Sequence, residues 1–255
     1  MMQQLTVHQL LNLLNNAFNH PTKSGRGHNK KYYMKVLIGC EESQAVTIEF
    51  RKLGFEAYSC DIQECSGGHP EWHYQEDIFE VINREQWDMM IAFPPCTYLT
   101  VTGARWLYNK DGSKNESRWV AQDDAVEFVK KLYYSNIKRI AIENPVGKLS
   151  SLWMKPTQII QPFYFGDEAQ KTTCLWLKDL PKLQHLKNAN LFKKNITHCG
   201  KGEMVTTSTG KTFSKWYWET SRGKGKERQI LRSKTFPGIA KAMATQWSKY
   251  LIEKS

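Results

Sequence analysis

The chain has 255 residues, 40% of them hydrophobic and 12% aromatic, which excludes an intrinsically disordered protein and suits one domain with a small appendage. No apolar run reaches the roughly 18 residues that a membrane-spanning helix needs, and the first residues lack the apolar core and cleavage site of a signal peptide, so we expect a cytoplasmic protein. Its six cysteines are scattered, which favours reduced thiols over a disulfide scaffold, and the formal net charge of +11 is unevenly placed.

Residues 1–33 are predicted to form an appendage. Val7, Leu10 and Leu14 make the apolar stripe of a helix, and a polar stretch containing Gly, Lys and Asn then indicates a linker. The core of the main domain is therefore placed in residues 34–181.

Strands and helices alternate along the first part of this core, which predicts a mostly parallel sheet with helices on both faces. Four apolar runs are predicted as buried strands: MKVLIG, FEAYSC, DMMIAF and IKRIAIEN. The helix after the first strand is expected to end at Gly54, a typical cap residue. Ligands in such sheets bind beyond the carboxyl ends of the strands, and Asp61, Cys96, Glu143 and Asn144 all lie at such ends.

The pattern changes beyond Gly147, where QIIQPFYFG and TCLWLKDLP indicate two strands without a helix between them. Residues 182–234 form a basic region with 13 Lys and Arg against three Glu, a net charge of +10. Its mixture of cations and aromatic residues suits a surface that binds phosphates and stacks on bases, although a charge excess alone more often marks a solvated face. Residues 235–255 are predicted to form a helix that completes the core, with Ile239 and Met243 on its buried side.

The sequence FPPC places Cys96 directly after two prolines at the end of a predicted strand. Such a cysteine is commonly an inert thiol in a structural turn. Glu143 and Asn144 follow 47 residues after it, in the sequence IENP, at the end of another strand. There a carboxyl group can hydrogen-bond to a ring nitrogen, and an amide can brace a loop. The two motifs together, in this order, indicate a catalytic site.

These motifs resemble those of the DNA cytosine-5 methyltransferase family, a class I family that uses S-adenosylmethionine, over most of residues 35–250. The resemblance implies a Rossmann-like α/β fold and a covalent mechanism in which the Cys96 thiolate adds to carbon 6 of cytosine and carbon 5 then takes the methyl group. It implies that Glu143 contacts ring nitrogen 3 and the exocyclic amine, while Asn144 and Pro95 position the loop of the nucleophile. The implied partner is DNA, and we expect a monomer.

The resemblance also implies a cofactor pocket for S-adenosylmethionine. Gly39, Glu41 and Ser43 occupy the place of the family's cofactor loop, in which most of the usual glycines are replaced here. Asp61 stands where an acid binds the cofactor ribose, and Asp77 where an acid accepts a hydrogen bond from the adenine amine. Taken alone, each of these two acids would more commonly be a helix cap or a surface residue. Phe93 is a further expected cofactor contact.

The target base is expected to meet Lys171 or Thr173, which lie where the family has a Gln-x-Arg-x-Arg strand whose two arginines are absent here. Because this chemistry cannot reach a stacked base, the cytosine must be extruded or already unpaired. Residues 97–119, polar and following Cys96, are interpreted as a loop that closes over the extruded base, with Arg105 as a DNA contact. Composition alone would equally suit a disordered surface loop.

Further DNA contacts are expected in the basic region, from Trp216, Lys224 and Lys226. The alternative for Trp216 is a core position in a small subdomain. The region is short for a target-recognition region, which suggests a compact enzyme of a phage or mobile element, in a bacterial or phage-infected cell.

A zinc site is an alternative for the loop that contains Cys60, Cys65, His69 and His73, all of them residue types that bind zinc. The loop lacks a paired Cys-x-x-Cys knuckle, and we predict no metal.

Two other functions would keep this fold. One is methylation of cytosine in RNA or in a free nucleotide, although a nucleotide enzyme has little use for the basic region. The other is a catalytically inactive protein that binds nucleic acid, which would explain the replaced cofactor glycines.

Overall fold

The computed structural model describes residues 34–186, 197–223 and 225–254, so the predicted N-terminal helix and linker lie outside the described ranges. The strands are β1 (Lys35–Gly39), β2 (Glu56–Cys60), β3 (His73–Tyr74), β4 (Met89–Ala92), β5 (Ile140–Pro145), β6 (Gln158–Ile160), β7 (Thr173–Lys178), β8 (Met204–Thr206) and β9 (Thr212–Ser214). The α-helices are α1 (Ala45–Lys52), α2 (Ile78–Arg84), α3 (Glu116–Tyr133), α4 (Leu149–Leu152), α5 (Lys215–Arg222), α6 (Gly225–Ser233) and α7 (Pro237–Glu253). None of the helices in these ranges is long and apolar enough to span a membrane.

The first seven strands form one sheet in the order β3-β2-β1-β4-β5-β7-β6. Strands β1 to β5 pair in parallel, whereas β7 is antiparallel to both β5 and β6. Only a short 3₁₀ turn at Pro162–Tyr164 lies between β6 and β7, which suits antiparallel neighbours because a parallel pair needs a long crossover. This order, with its one reversed strand, is that of the Rossmann-like class I methyltransferase fold, as the resemblance predicted.

Each face of the sheet is covered by its own set of helices. Val36 and Ile38 of β1 point into a core shared with α1 and α7, whereas Leu37 between them points into a core shared with α2 and α3. This alternation follows from the period of two in a strand. It also explains why the strands read as unbroken apolar runs, since both of their faces are buried.

The predicted strands of the sheet are confirmed, with their ends shifted by a few residues. β5, for example, begins at Ile140 and not at Ile137. The helix after β1 ends at Lys52, and Gly54 follows with φ of +83°, in the left-handed region where glycine is favoured.

A smaller unit made of β8, β9, α5 and α6 lies between β7 and α7, and the sequence analysis did not predict its elements. The segment that leads into this unit is attached to the main domain by a hydrogen bond of 3.0 Å from the Cys199 amide to the carbonyl of Phe163. At its exit, the Trp216 ring packs against Phe236 with 5.2 Å between ring centres. Leu183, which the sequence analysis assigned to the basic region, is buried in the main core.

Candidate active site

The reversed strand β7 brings both predicted halves of the site to one edge of the sheet. Parallel strands β4 and β5 have their carboxyl ends at this edge, and β7 contributes its amino end. In the β5–β7 ladder, Asn144 stands opposite Cys174, and Pro145 stands opposite Thr173. Glu143 and the residues that open β7 are therefore neighbours, although about 30 residues separate them along the chain.

The turn that carries Cys96 is fixed by hydrogen bonds on both sides. The Asn144 side-chain amide donates to the carbonyl of Pro94 at 2.9 Å, so the end of β5 holds the turn that follows β4. After the cysteine, the carbonyl of Cys96 accepts from the amides of Leu99 and Thr100 at 2.9 and 3.1 Å. The thiol thus lies on a turn that is held by hydrogen bonds on both sides.

The loop after Cys96 is also tied to the loop after Glu143. The Lys148 amide donates to the Leu99 carbonyl at 2.7 Å, and Thr100 forms a bridge with Gly147. A Cβ atom on Gly147 would lie 2.0 Å from the Leu99 carbonyl oxygen, so only glycine allows the two backbones to approach this closely. The two loops that carry the candidate catalytic side chains form one connected structure.

Two acidic groups and two basic groups set the electrostatics of the site. Burial raises the pKa of the Cys96 thiol, and the nearby Glu143 carboxyl raises it further, whereas the positive charges of Lys171 and Arg232 lower it. Burial also raises the pKa of Glu143, against the opposing effects of Lys171 and of the Thr173 hydroxyl. The free thiol is therefore mostly protonated at neutral pH, and Glu143 holds a proton more readily than a surface glutamate.

This arrangement combines a nucleophile with a carboxylic acid that can donate a hydrogen bond. Lys171, predicted from its place before β7, is near enough for its charge to lower the pKa of both groups. Arg232, at the end of α6, was not singled out in the sequence, because nothing distinguished it from the other cations of the basic region.

Residues 97–119 form an ordered segment and not a long irregular loop. Its first half is a 3₁₀ helix over Val101–Leu107, a turn closed by a bridge between Tyr108 and Lys114 follows, and α3 begins at Glu116. Arg105 lies on the 3₁₀ helix, with its guanidinium 4.5 Å from the centre of the Trp106 ring. The helical turn escaped prediction because VTGARWL is too short to show a helical period.

Residues predicted to bind the cofactor lie where β1 and β2 end side by side, with Gly39 paired to Cys60. Asp61 follows β2, close to Cys40 of the loop after β1, and one of its carboxylate oxygens accepts from the Gln63 amide at 2.9 Å. This arrangement fits a ribose, because the Asp61 carboxylate can accept hydrogen bonds from the hydroxyl groups of the sugar and backbone amides of the loop can donate to them. Phe93 donates its amide to the Gly39 carbonyl at 2.9 Å, which places it at the same edge.

The prediction that Glu41 contacts the cofactor is not supported by its side chain. The carboxylate is buried and accepts from the Val46 amide at 2.7 Å and from the Thr47 hydroxyl at 2.8 Å, so it caps the start of α1. Asp77 likewise caps α2 by accepting from the Phe79 amide at 2.7 Å, the alternative role that its residue type suggested.

Gln44 was missed by the sequence analysis, although it organises the loop after β2. Its buried side chain donates to the His69 carbonyl at 2.8 Å and accepts from the His69 amide at 3.0 Å. Gly67 packs so closely on Gln44 that a Cβ atom there would lie 2.5 Å from the Gln44 Cβ. Gln44, which directly follows the predicted cofactor loop, therefore holds the loop after β2 that contains Asp61.

The alternative zinc site does not assemble in the described part of the chain, which contains no group of three His, Cys, Asp or Glu placed to hold a metal ion. The His73 ring instead pairs with the Ser59 hydroxyl at 2.8 Å and with the Gln63 carbonyl at 2.9 Å. Cys60 is buried, and its pKa is raised to about 12 chiefly by desolvation.

The described aromatic residues of the basic region pack on other rings of the protein, some within the region and one, Phe236, just after it. Trp216 is half-buried against Phe236, and the Phe213 ring stacks on Tyr217 with 5.4 Å between centres. This favours the alternative in which Trp216 is a core residue of a small subdomain. Lys224 lies outside the described residues, and Lys226 lies on α6 with a side chain that is not described.

No protein-family model matches the chain, and no curated protein matches it. Solved structures similar to it include a protein described as a DNA modification methyltransferase encoded within an E. coli prophage, with a TM-score of 0.40 and 15% identity over 66% of this chain and 53% of that one. The chain thus spans about half the length of that protein. Another is the delta-N METTL16 MTase domain, with a TM-score of 0.33 and 8% identity over 69% of this chain and 82% of the other. At such low TM-scores and sequence identities, the matches do not indicate an activity.

Proposed function

We propose that the protein is a DNA cytosine-5 methyltransferase that uses S-adenosylmethionine and a covalent Cys96 adduct. The observation that carries this proposal is the convergence of Cys96, Glu143 and Lys171 at one sheet edge, with the Cys96 turn braced by Asn144. An inert structural cysteine would need neither the acid nor the cation beside it.

The chemistry assigns a separate task to each group. Cys96 loses its proton to solvent, and its sulfur forms a bond to carbon 6 of cytosine. Glu143 donates a hydrogen bond to ring nitrogen 3 in this step, and the addition makes carbon 5 nucleophilic. Gly39, Ser43 and Asp61 would hold S-adenosylmethionine, whose methyl group would pass to carbon 5 with S-adenosylhomocysteine as the leaving group. A base then removes the proton from carbon 5, and the bond between sulfur and carbon 6 breaks to release Cys96 and the methylated ring.

The raised pKa of Glu143 suits this sequence of events, whereas the raised pKa of Cys96 means that its thiol has to lose a proton as it reacts. A protonated Glu143 can donate to the ring, and the negative charge that develops on sulfur as Cys96 reacts lies within reach of Lys171 and Arg232. Lys171 takes the place of the family arginine that contacts the base carbonyl. Its positive charge would therefore both contact the base and stabilise the negative charge on the Cys96 sulfur.

The proposal of DNA as the substrate is supported by the distribution of charge. Residues 182–234 carry a net charge of +10, and they follow in the chain on β7, which begins at Thr173, two residues after Lys171. Arg232 belongs to this basic unit and also acts on Cys96 electrostatically. Basic side chains that neutralise phosphates would bring the strand to the nucleophile.

Bisulfite sequencing of DNA from cells that express the protein tests this function. The expected result is methylated cytosine in a recurrent sequence context, which disappears when Cys96→Ser is expressed at the same level. Unmethylated DNA together with methylated cytosine in RNA from the same cells would replace DNA by RNA as the substrate.

A further inference from the structure

The segment that follows the candidate nucleophile in the chain carries a group of exposed apolar side chains. We call Tyr98, Val101, Trp106, Tyr108 and Val120 the aromatic face. Trp106 is 54% exposed and Tyr108 50%, whereas most large apolar side chains of the main domain are buried. Solvent-exposed rings concentrated within some 25 residues of one another mark a surface that contacts another molecule.

Cations accompany the rings of this face. The Arg105 guanidinium lies 4.5 Å from the centre of the Trp106 ring, and the Arg118 guanidinium lies 5.0 Å from that of Tyr98. Residues 98–120 contain four Lys and Arg against one Asp and one Glu. Rings paired with guanidinium groups suit a partner that offers both flat aromatic groups and negative charge, which is the chemistry of a nucleic acid strand.

The aromatic face is held rigidly next to the catalytic turn. Tyr98 is two residues from Cys96, and its carbonyl accepts from the Gln122 side chain of α3 at 2.9 Å. The Trp119 indole donates to the Leu107 carbonyl at 3.0 Å, which closes the 3₁₀ helix onto α3. Trp106 and Tyr108 are therefore exposed on a segment whose backbone is held by hydrogen bonds to α3.

We propose that the aromatic face binds the DNA strand that flanks the target cytosine by stacking on its unpaired bases. This inference rests on the proposed function, since it places the substrate strand at Cys96. Paired bases in a duplex hide their flat faces in the stack, so exposed rings can be used only on bases that are unpaired around the target. The substrate class is thus single-stranded or locally opened DNA, held by the aromatic face on one side of the site and by the basic region on the other.

Binding of fluorescein-labelled oligonucleotides to the full-length protein tests this inference. Three probes share one cytosine-containing strand: the strand alone, its perfect duplex, and a duplex with a bubble of unpaired bases around the cytosine. The wild-type protein is expected to bind the strand and the bubble more tightly than the duplex. Trp106→Ala should weaken binding to these two probes by about 5- to 150-fold, the range for loss of one stacked base, without changing the dependence on salt.

Tyr134→Ala is the matched control, because Tyr134 is an aromatic residue that is 67% exposed at the opposite end of α3. Melting temperatures of both variants ensure that folded proteins are compared. Equal affinities of Trp106→Ala and Tyr134→Ala for the strand would overturn the proposal. An equal loss of affinity for the duplex and for the single strand in Trp106→Ala would also overturn it. A change from dimer to monomer in Trp106→Ala with unchanged DNA binding would overturn it as well, and would assign the aromatic face to contact with a second copy of the chain. If the wild-type protein binds the probes in this pattern but transfers no methyl group to them, the proposed activity is contradicted and the proposed binding surface still stands.

Discussion

The side-chain amide of Asn144 donates a hydrogen bond to the main-chain carbonyl of Pro94, two residues before the candidate nucleophile. This bond joins the end of β5 to the turn after β4 inside the protein, where both residues are buried. The same bond explains how two separate sequence motifs, FPPC and ENP, act as one structure.

Asn144→Asp is expected to destabilise the protein and to slow catalysis. The substitution keeps the shape but replaces the donor by a carboxylate that faces a carbonyl oxygen, so the free energy of unfolding should fall by about 1 to 3 kcal/mol or more. Because the turn that holds Cys96 loses its brace, kcat for methyl transfer should fall more than KM rises. Urea unfolding and steady-state kinetics check this, with Asn136→Asp, at an exposed position, as control. A variant of lowered stability with an unchanged kcat would reduce Asn144 to a structural role.

The reactivity of Cys96 is expected to rise steeply with pH. Burial and the Glu143 carboxyl raise the pKa of this thiol above its ordinary value of 9.0, so the thiolate fraction grows about tenfold per pH unit from pH 7 to pH 9. Alkylation by iodoacetamide, followed on the Cys96 peptide by mass spectrometry, should show this slope. Lys171→Met, which removes a charge that lowers the pKa, should slow the reaction at a given pH, and Glu143→Gln should accelerate it. A rate that does not change between pH 7 and pH 9 would mean that the thiol is already ionised.

Glu41 is expected to make the protein less stable as the pH rises. Burial raises the pKa of Glu41 to about 7 from an ordinary value of 4.5. A carboxyl group with a raised pKa contributes stability that is fully present below about pH 4.5 and is lost as the pH rises through 7. Glu41→Gln keeps an acceptor for the Val46 amide but cannot ionise. Between pH 5 and pH 7.5, wild type should therefore lose about 2 to 3 kcal/mol more stability than the variant. The free energies of unfolding come from urea denaturation of both proteins at the two pH values. An equal change in this free energy for wild type and Glu41→Gln would contradict this account.

Asp61 and Asp77 are expected to differ in their effect on the cofactor. Asp61→Ala should weaken S-adenosylmethionine binding by about 1 to 3 kcal/mol, the range for losing charge-assisted hydrogen bonds, while Asp77→Ala should cost about 0.5 to 2 kcal/mol of stability through loss of the α2 cap. Calorimetric titration and thermal unfolding of both variants separate the two effects. An unchanged affinity in Asp61→Ala would move the ribose contact to another residue.

The main domain could be predicted from the sequence because its strands are buried on both faces and therefore read as apolar runs between helical patterns. Cys96 and Glu143 were found because each follows or ends such a strand. The smaller unit escaped prediction because its elements are short: β8 and β9 have three residues each, and α5 and α6 have eight and nine. The roles of Glu41 and Asp77 depend on where a short side chain turns. Capping a helix and reaching a ligand need the same residue type at the same place, and only the three-dimensional arrangement separates them.

Trapping on a fluorinated target tests the covalent mechanism most directly. An oligonucleotide that carries 5-fluorocytosine lacks the proton that must leave carbon 5, so the enzyme should remain attached to it through Cys96 in the presence of S-adenosylmethionine. The account predicts a complex that survives denaturing electrophoresis, forms with wild type, and is absent with Cys96→Ser. Methylation of the unmodified oligonucleotide without any trapped complex on its fluorinated counterpart, under the same conditions, would contradict it.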